Sequence, residues 1–284
     1  MGLSGQVKLW TRRKRDMAQY VARSFSEARR LAPDMQSLEA YCLFLGYERS
    51  GHTLLASIFN AHRNAVVSNE LHALSYLPLG ITRQQLFAMI VMRDQRWGAH
   101  GWRWTNYGYA VPGQWQGRYE TLKVIGDKEA NRSSVVLRRW PGRLVTLRRT
   151  VELPLRVIHH VRNPYDNIAT IARRYRRPLT WAAARYLPTV PGNVNLLRQH
   201  IDREEQIESH HEDLVADPRH ELTRLLTFLG LEPAPDYLDA CCAIVHTEPR
   251  RSRFEVDWPG EVRDAVAREI DKHEHLRRYS FELT

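Results

Sequence analysis

Apolar positions along this chain follow two spacings in turn. Tyr41-Cys42-Leu43-Phe44-Leu45-Gly46 is an unbroken apolar run closed by glycine, which predicts a buried strand. From Thr53 onward Leu54, Leu55, Ile58 and Phe59 recur at helical spacing, so the segment reads strand, loop, helix. Val66-Val67 predicts a second short strand, and Leu86, Ile90 and Val91 a helix over 81–96. Residues 97–120, rich in Trp, Tyr, Gly and Gln, predict a long irregular loop or lid. Strand patterns return at Leu122–Gly126 and at Arg156–Val161, the latter followed by a turn at Asn163-Pro164 and a helix from about Tyr165. Residues 179–206 read as largely helical, Ile207 to Leu214 as a last strand, and 217–229, 234–245 and 260–275 as helices.

Strands alternating with helices predict an α/β fold, a central parallel sheet in a three-layer α/β/α sandwich. No linker divides the chain. The expected organisation is a basic, helical N-terminal extension over 1–38 and a single domain over 39–284.

Composition changes this picture little: 43% hydrophobic and 26% charged residues are ordinary for a globular protein. Charge adds more. A formal net charge of +10 and a sequence pI near 9.8 favour anionic partners. Three cysteines, Cys42, Cys241 and Cys242, form no disulfide framework and suit a reducing compartment. With no signal-peptide core and no run of 18 apolar residues, the sequence predicts a cytoplasmic protein with no transmembrane segment. The cluster Trp10 to Arg15 could touch anionic lipid peripherally, but a solvated helix face is the preferred reading. No nucleic-acid motif is present, and the oligomeric state is not written in the sequence.

Candidate chemistry begins at Gly46 to Thr53, of the form G-x-x-x-x-G-H-T. Glycines let a backbone turn so that successive amides face an anion, and the following helix adds its N-terminal N–H groups and dipole. Ser50 and Thr53 offer hydroxyls and Arg49 a permanent charge. A nucleoside triphosphate loop carries lysine where His52 stands, and an imidazole is a poor replacement beside a triphosphate. An ATP-dependent small-molecule kinase with a degenerate phosphate loop is therefore the second reading.

The loop resembles the 5′-phosphosulfate loop of the sulfotransferases that use 3′-phosphoadenosine 5′-phosphosulfate (PAPS), usually P-[RK]-S-G-T-[TS]-L. Arg49, Ser50, Gly51, Thr53 and Leu54 match; Glu48 replaces the proline and His52 the first threonine. A second match, Arg162-Asn163-Pro164-Tyr165-Asp166 with Thr170 beyond it, resembles the family's 3′-phosphate motif, R-[DN]-P-x-D-x-x-x-S. A third, His211-Glu212-Asp213-Leu214 with Asp217-Pro218, resembles Y-E-D-L-x-x-[DN]-P and reads as mostly structural. The resemblance covers roughly residues 40–275.

It implies a P-loop-like sulfotransferase architecture with PAPS as co-substrate, PAP as product and no metal. The implied donor-binding set is Arg49, Ser50, Gly51, His52 through its amide, Thr53, Leu54, Arg162 and Thr170. Arg251 and Arg253, in a C-terminal basic loop, would close the 3′-phosphate pocket. Glu70 is the implied catalytic base, as in the glycan- and protein-modifying branch, with a carboxyl pKa raised toward neutrality in a closed site. His72 is the rival base. Lys128 and Arg49 would stabilise the sulfuryl and leaving groups. The acceptor carries a hydroxyl, on a glycan, glycolipid or natural product. Trp97, Trp102, Trp104, Tyr107, Tyr109 and Trp115 either stack on it or pack as a lid. Neighbouring histidines at 159–160 and 210–211 point to opposite faces of a strand and make no chelate.

Overall fold

The computed structural model describes the backbone of residues 3–104 and 107–282, with side chains from Met17 onward apart from Trp104. The cluster Trp10 to Arg15 and the ring of Trp104 lie outside the described side chains. In chain order the elements are α1 (Leu3–Leu31), β1 (Ala40–Gly46), α2 (His52–Asn60), β2 (Ala65–Asn69), α3 (Arg83–Gly98), β3 (Arg103–Trp104) and β4 (Tyr107–Gly108). Then come β5 (Val124–Lys128), α4 (Ala130–Arg139), α5 (Gly142–Val151), β6 (Leu155–Val161), α6 (Pro164–Tyr175), α7 (Leu179–Tyr186) and α8 (Thr189–His200). The chain ends with β7 (Gln206–His210), α9 (His211–Ala216), α10 (Pro218–Leu229), α11 (Pro235–Cys242) and α12 (Gly260–Lys272).

The main sheet has the order β2-β5-β1-β6-β7, every pair parallel. Alternation along β1 explains the layers. Tyr41, Leu43 and Leu45 face a core shared with α3 and α5, while Ala40, Cys42 and Phe44 face one shared with α2, α10 and α11. A strand buried on both faces reads as an unbroken apolar run. A third core joins α6, α7 and α12 around Ile168, Tyr186 and Val266. The predicted α/β sandwich is the observed one.

Two local differences have physical causes. The predicted strand Ile207 to Leu214 stops at His210, and α9 takes over. Glu212 and Asp213 fall in its first turn, where the helix dipole favours acids. The α4–α5 pair fills a stretch with no predicted element; Leu144, Leu147 and Val151 are its buried stripe. No described helix is long and apolar enough to cross a membrane.

β1 pairs with β5 on one side and β6 on the other, so the chain leaves it in both directions. Loops at the carboxyl ends of such strands splay apart and open a crevice. Gly46, Asn69, Lys128 and Val161 all end their strands at that edge.

Candidate functional site

The loop after β1 is built by backbone conformation. Gly46 has φ 149°, Arg49 70° and Gly51 93°. A Cβ at Gly46 would lie 2.5 Å from His52 Nε2 and 2.7 Å from the His160 carbonyl; one at Gly51 would lie 2.8 Å from His211 Nδ1. Only glycine fits either place. No side chain caps α2; the Leu54 N–H donates to the Gly51 carbonyl at 3.0 Å, and the N–H groups of His52 and Thr53 before it can face an anion at the loop.

The side chains brace the loop from beneath. Ser50 Oγ donates to the Tyr47 carbonyl at 3.1 Å and accepts from Asn167 Nδ2 at 3.0 Å. Ser50, an expected phosphate contact, thus braces the loop internally. His52 is buried against Phe44 and His160, and His211 packs on His160. Burial pushes the His52 and His211 imidazoles well below their ordinary value and His160 down to about 3. Three neutral rings thus underlie the loop. From other elements, Ser134 accepts from the Gly46 N–H at 3.1 Å and Asn193 donates to its carbonyl at 3.1 Å.

On the β2–β5 side, Lys128 Nζ donates to Thr53 Oγ1 and to Glu70 Oε1, each at 3.1 Å. Lys128 is buried. Glu70 and His72 both have positive φ, 58° and 66°. Asp127 holds that strained turn: its carboxylate accepts from Ser68 Oγ at 2.8 Å and from the Leu71 and Ala73 N–H groups at 2.9 Å. His72 Nδ1 lies 2.9 Å from Glu129 Oε2. Burial alone would raise the Glu70 carboxyl, but the charge and hydrogen bond of Lys128 outweigh it and hold Glu70 below its ordinary value.

On the β6 side, Arg162 follows the strand and is nearly buried. Its Nη1 donates to the Arg49 carbonyl at 3.4 Å, its Nη2 donates to the Arg250 carbonyl, and its Nε is buried without a partner. Thr170, on α6, shares a 3.0 Å hydrogen bond with Ser252. The Asn163-Pro164 turn is fixed by Glu212, which accepts from the Asn163 N–H at 3.0 Å and from Tyr279 at 2.8 Å.

The C-terminal loop does close on this side, in a different register from that expected. Arg250 contributes a carbonyl and Ser252 a hydroxyl. Arg253 turns away and is sealed in an ion pair with Asp166 at 2.6 Å. Arg251 is exposed and does not line the cavity. Of the two expected phosphate contacts, one guanidinium is thus paired internally and the other is exposed.

Glu70, Lys128, Thr53, Leu54, Arg162, Thr170 and the loop residues Arg49 to His52 all line one cavity of about 630 Å³. Sequence reasoning missed other lining residues: Arg132, Arg174, Tyr175, Arg185, Ile244 and His246. Tyr107 and Tyr109, from the aromatic stretch, also reach the cavity. Tyr107 bonds His246 at 2.6 Å, and the Tyr109 carbonyl accepts from Ser57 at 2.6 Å. Trp97 is buried against Tyr109, ring centroids 6.4 Å apart, and does not itself line the cavity, while the Trp115 N–H donates to the Ala61 carbonyl at 3.1 Å. Among the described residues, no cluster of three or more His, Cys, Asp or Glu side chains is arranged to hold a metal ion.

No family model matches the chain, and no curated protein matches it in sequence. Solved structures do match. The sulfotransferase domain of a Synechococcus olefin synthase aligns with a TM-score of 0.53 at 17% identity, over 83% of this chain and 94% of that one. A sulfotransferase from Mycobacterium avium aligns with a TM-score of 0.51 at 11% identity, over 95% and 86%. A mouse sulfotransferase complexed with PAP aligns with a TM-score of 0.50 at 12% identity, over 88% and 93%. What is shared at these identities is architecture, and on that ground the chain has the sulfotransferase fold.

Proposed function

We propose that this protein transfers a sulfuryl group from PAPS to an acceptor hydroxyl. The observation that carries the proposal is the Glu70–Lys128–Thr53 constellation, with both Lys128 contacts at 3.1 Å, in one cavity with Arg162 and its unpartnered Nε. Such an arrangement offers a base, a buried cation and two separate anion sites.

In the proposed reaction the loop amides, Arg49 and the α2 N-terminus hold the 5′-phosphate, while Arg162 and Thr170 hold the 3′-phosphate. Glu70 takes the proton of the acceptor hydroxyl as the acceptor oxygen bonds to sulfur. The bond from sulfur to the bridging oxygen breaks, and the electron pair leaves with the 5′-phosphate of PAP. Lys128 and the loop neutralise that growing charge. Once Lys128 turns toward the sulfuryl group, Glu70 loses the partner that depresses it and becomes a stronger base.

Calorimetric titration with PAP, set against ATP with Mg²⁺, tests the donor. PAP binding without metal is expected, and preferential ATP binding refutes the proposal. Glu70→Gln should leave PAP affinity nearly intact and lower turnover by about 10²–10⁴-fold once an acceptor is in hand. Because the free-protein Glu70 carboxyl lies below its ordinary value, kcat/KM for the donor should stay level from neutrality down to about pH 5 and fall only in stronger acid. An acid limb near pH 7 in that profile would show that Glu70 is not the base.

A further inference from the structure

We propose that the rim of this cavity is a docking surface for an anionic lipid bilayer. The inference rests on exposed side chains outside the reaction chemistry and holds whether or not the donor is PAPS.

The first observation is charge. From Ala130 to Val151 the chain carries six arginines and no Asp or Glu, and from Asn167 to Ile201 again six arginines and no Asp or Glu. The two stretches form α4–α5 and most of α6 with α7–α8. They meet across a groove of about 320 Å³ lined by Val135 and Arg138 on one side and Ala184, Arg185 and Tyr186 on the other. The groove opens into the main cavity through Glu48, Asn131 and Arg185, which line both. Its one carboxylate, Glu48, is already neutralised: Tyr175 donates to it at 2.7 Å and Arg185 pairs with it at 3.0 Å.

The second observation is apolar surface among those charges. Tyr175 is 45% exposed and Trp181 37%, their rings 5.5 Å apart with the Arg185 guanidinium over both. Across the groove Arg132, Val135 and Arg139 form one exposed stripe of α4, which ends at Trp140, 51% exposed. Arginine with exposed Trp and Tyr suits a bilayer interface: cations meet headgroup phosphates while amphipathic rings enter the boundary with the acyl chains. A rigid soluble polyanion would take the arginines and leave the rings in water. Docked this way, the cavity mouth faces the lipid headgroups.

Sedimentation with vesicles of phosphatidylcholine, with and without phosphatidylglycerol, tests this on the full chain without donor. Binding should require phosphatidylglycerol and weaken with salt. Arg139→Glu with Arg176→Glu, both exposed and outside the cavity lining, should lower vesicle partitioning by at least roughly tenfold. The charge-matched pair Arg29→Glu with Arg118→Glu, at the opposite end of the sheet, should lower it much less. Trp140→Ser with Trp181→Ser keeps every charge and should still weaken binding at high salt. Unchanged far-ultraviolet dichroism and melting temperature show that each variant is folded. Equal losses in the rim and control pairs overturn the proposal, as does binding to phosphatidylcholine alone. It is also overturned if heparin binds through the rim arginines while the vesicles do not bind. A chain that binds the vesicles and fails to bind PAP keeps this inference and loses the transfer reading.

Discussion

Arg162 and Arg253 sit close together on the β6 side of the molecule, and both are nearly sealed from water, at 8% and 1% exposure. They differ in what faces them. Arg253 has the Asp166 carboxylate at 2.6 Å, the Phe281 carbonyl at 2.7 Å on its Nε, and its own N–H on Asp166 at 2.8 Å. Arg162 has two backbone carbonyls, a bare Nε and, among the described residues, no carboxylate within ion-pair distance. A buried charge that is fully paired holds structure together. One left with carbonyls alone carries a desolvation cost that an anionic ligand would offset. Burial accordingly lowers the pKa of the Arg162 guanidinium.

The largest effect expected is on Arg253. Arg253→Met leaves Asp166 buried without its partner and should cost about 3–5 kcal/mol of stability, read by urea denaturation. Arg162→Met should divide the effects the other way. Stability should fall much less than in Arg253→Met, because no direct ion pair is lost and only the longer-range attraction of Asp166 and Glu212 goes, while PAP affinity falls by about 100-fold, on the order of 3 kcal/mol. If Arg162→Met unfolds the protein and Arg253→Met only weakens PAP, the roles are exchanged and the 3′ site has been placed wrongly.

What could be read from the sequence follows the same division. The strand at Tyr41 to Gly46 and the loop after it were legible because local spacing dictates them, an apolar run and a glycine turn; Arg162 and Thr170 were singled out by the resemblance of their motif, and the fold brings both to one cavity. Roles set by distant partners were not. Nothing near Arg253 says that Asp166, 87 residues earlier, will claim it. Glu70 was expected to be raised because the fixed 3.1 Å contact with Lys128 depends on the β2–β5 register, Asn69 beside Lys128. His52 could not be assigned because its ring turns under the loop onto β6, a contact made only in the folded sheet. The α4–α5 pair was the avoidable omission, since Leu144, Leu147 and Val151 lie at helical spacing.

The smallest effect separates ligand contact from internal bracing at Thr170. Its hydroxyl shares a 3.0 Å bond with Ser252, whose own hydroxyl also reaches the Asp166 carbonyl at 3.4 Å. Ser252 therefore keeps a partner when Thr170 is changed, and Thr170→Val should leave stability nearly unaltered. If the hydroxyl also reaches a phosphate, Thr170→Val should weaken PAP binding about fivefold, the worth of roughly 1 kcal/mol for one hydrogen bond. Thr170→Ser should bind like the parent, because it keeps the oxygen and loses only a methyl group. Ser252→Ala decides between the two roles. If Thr170 acts only through Ser252, the Ser252→Ala and Thr170→Val losses should match and the double variant should add nothing. If Thr170 touches the ligand, Ser252→Ala should leave affinity nearly unchanged and the loss should track Thr170 alone.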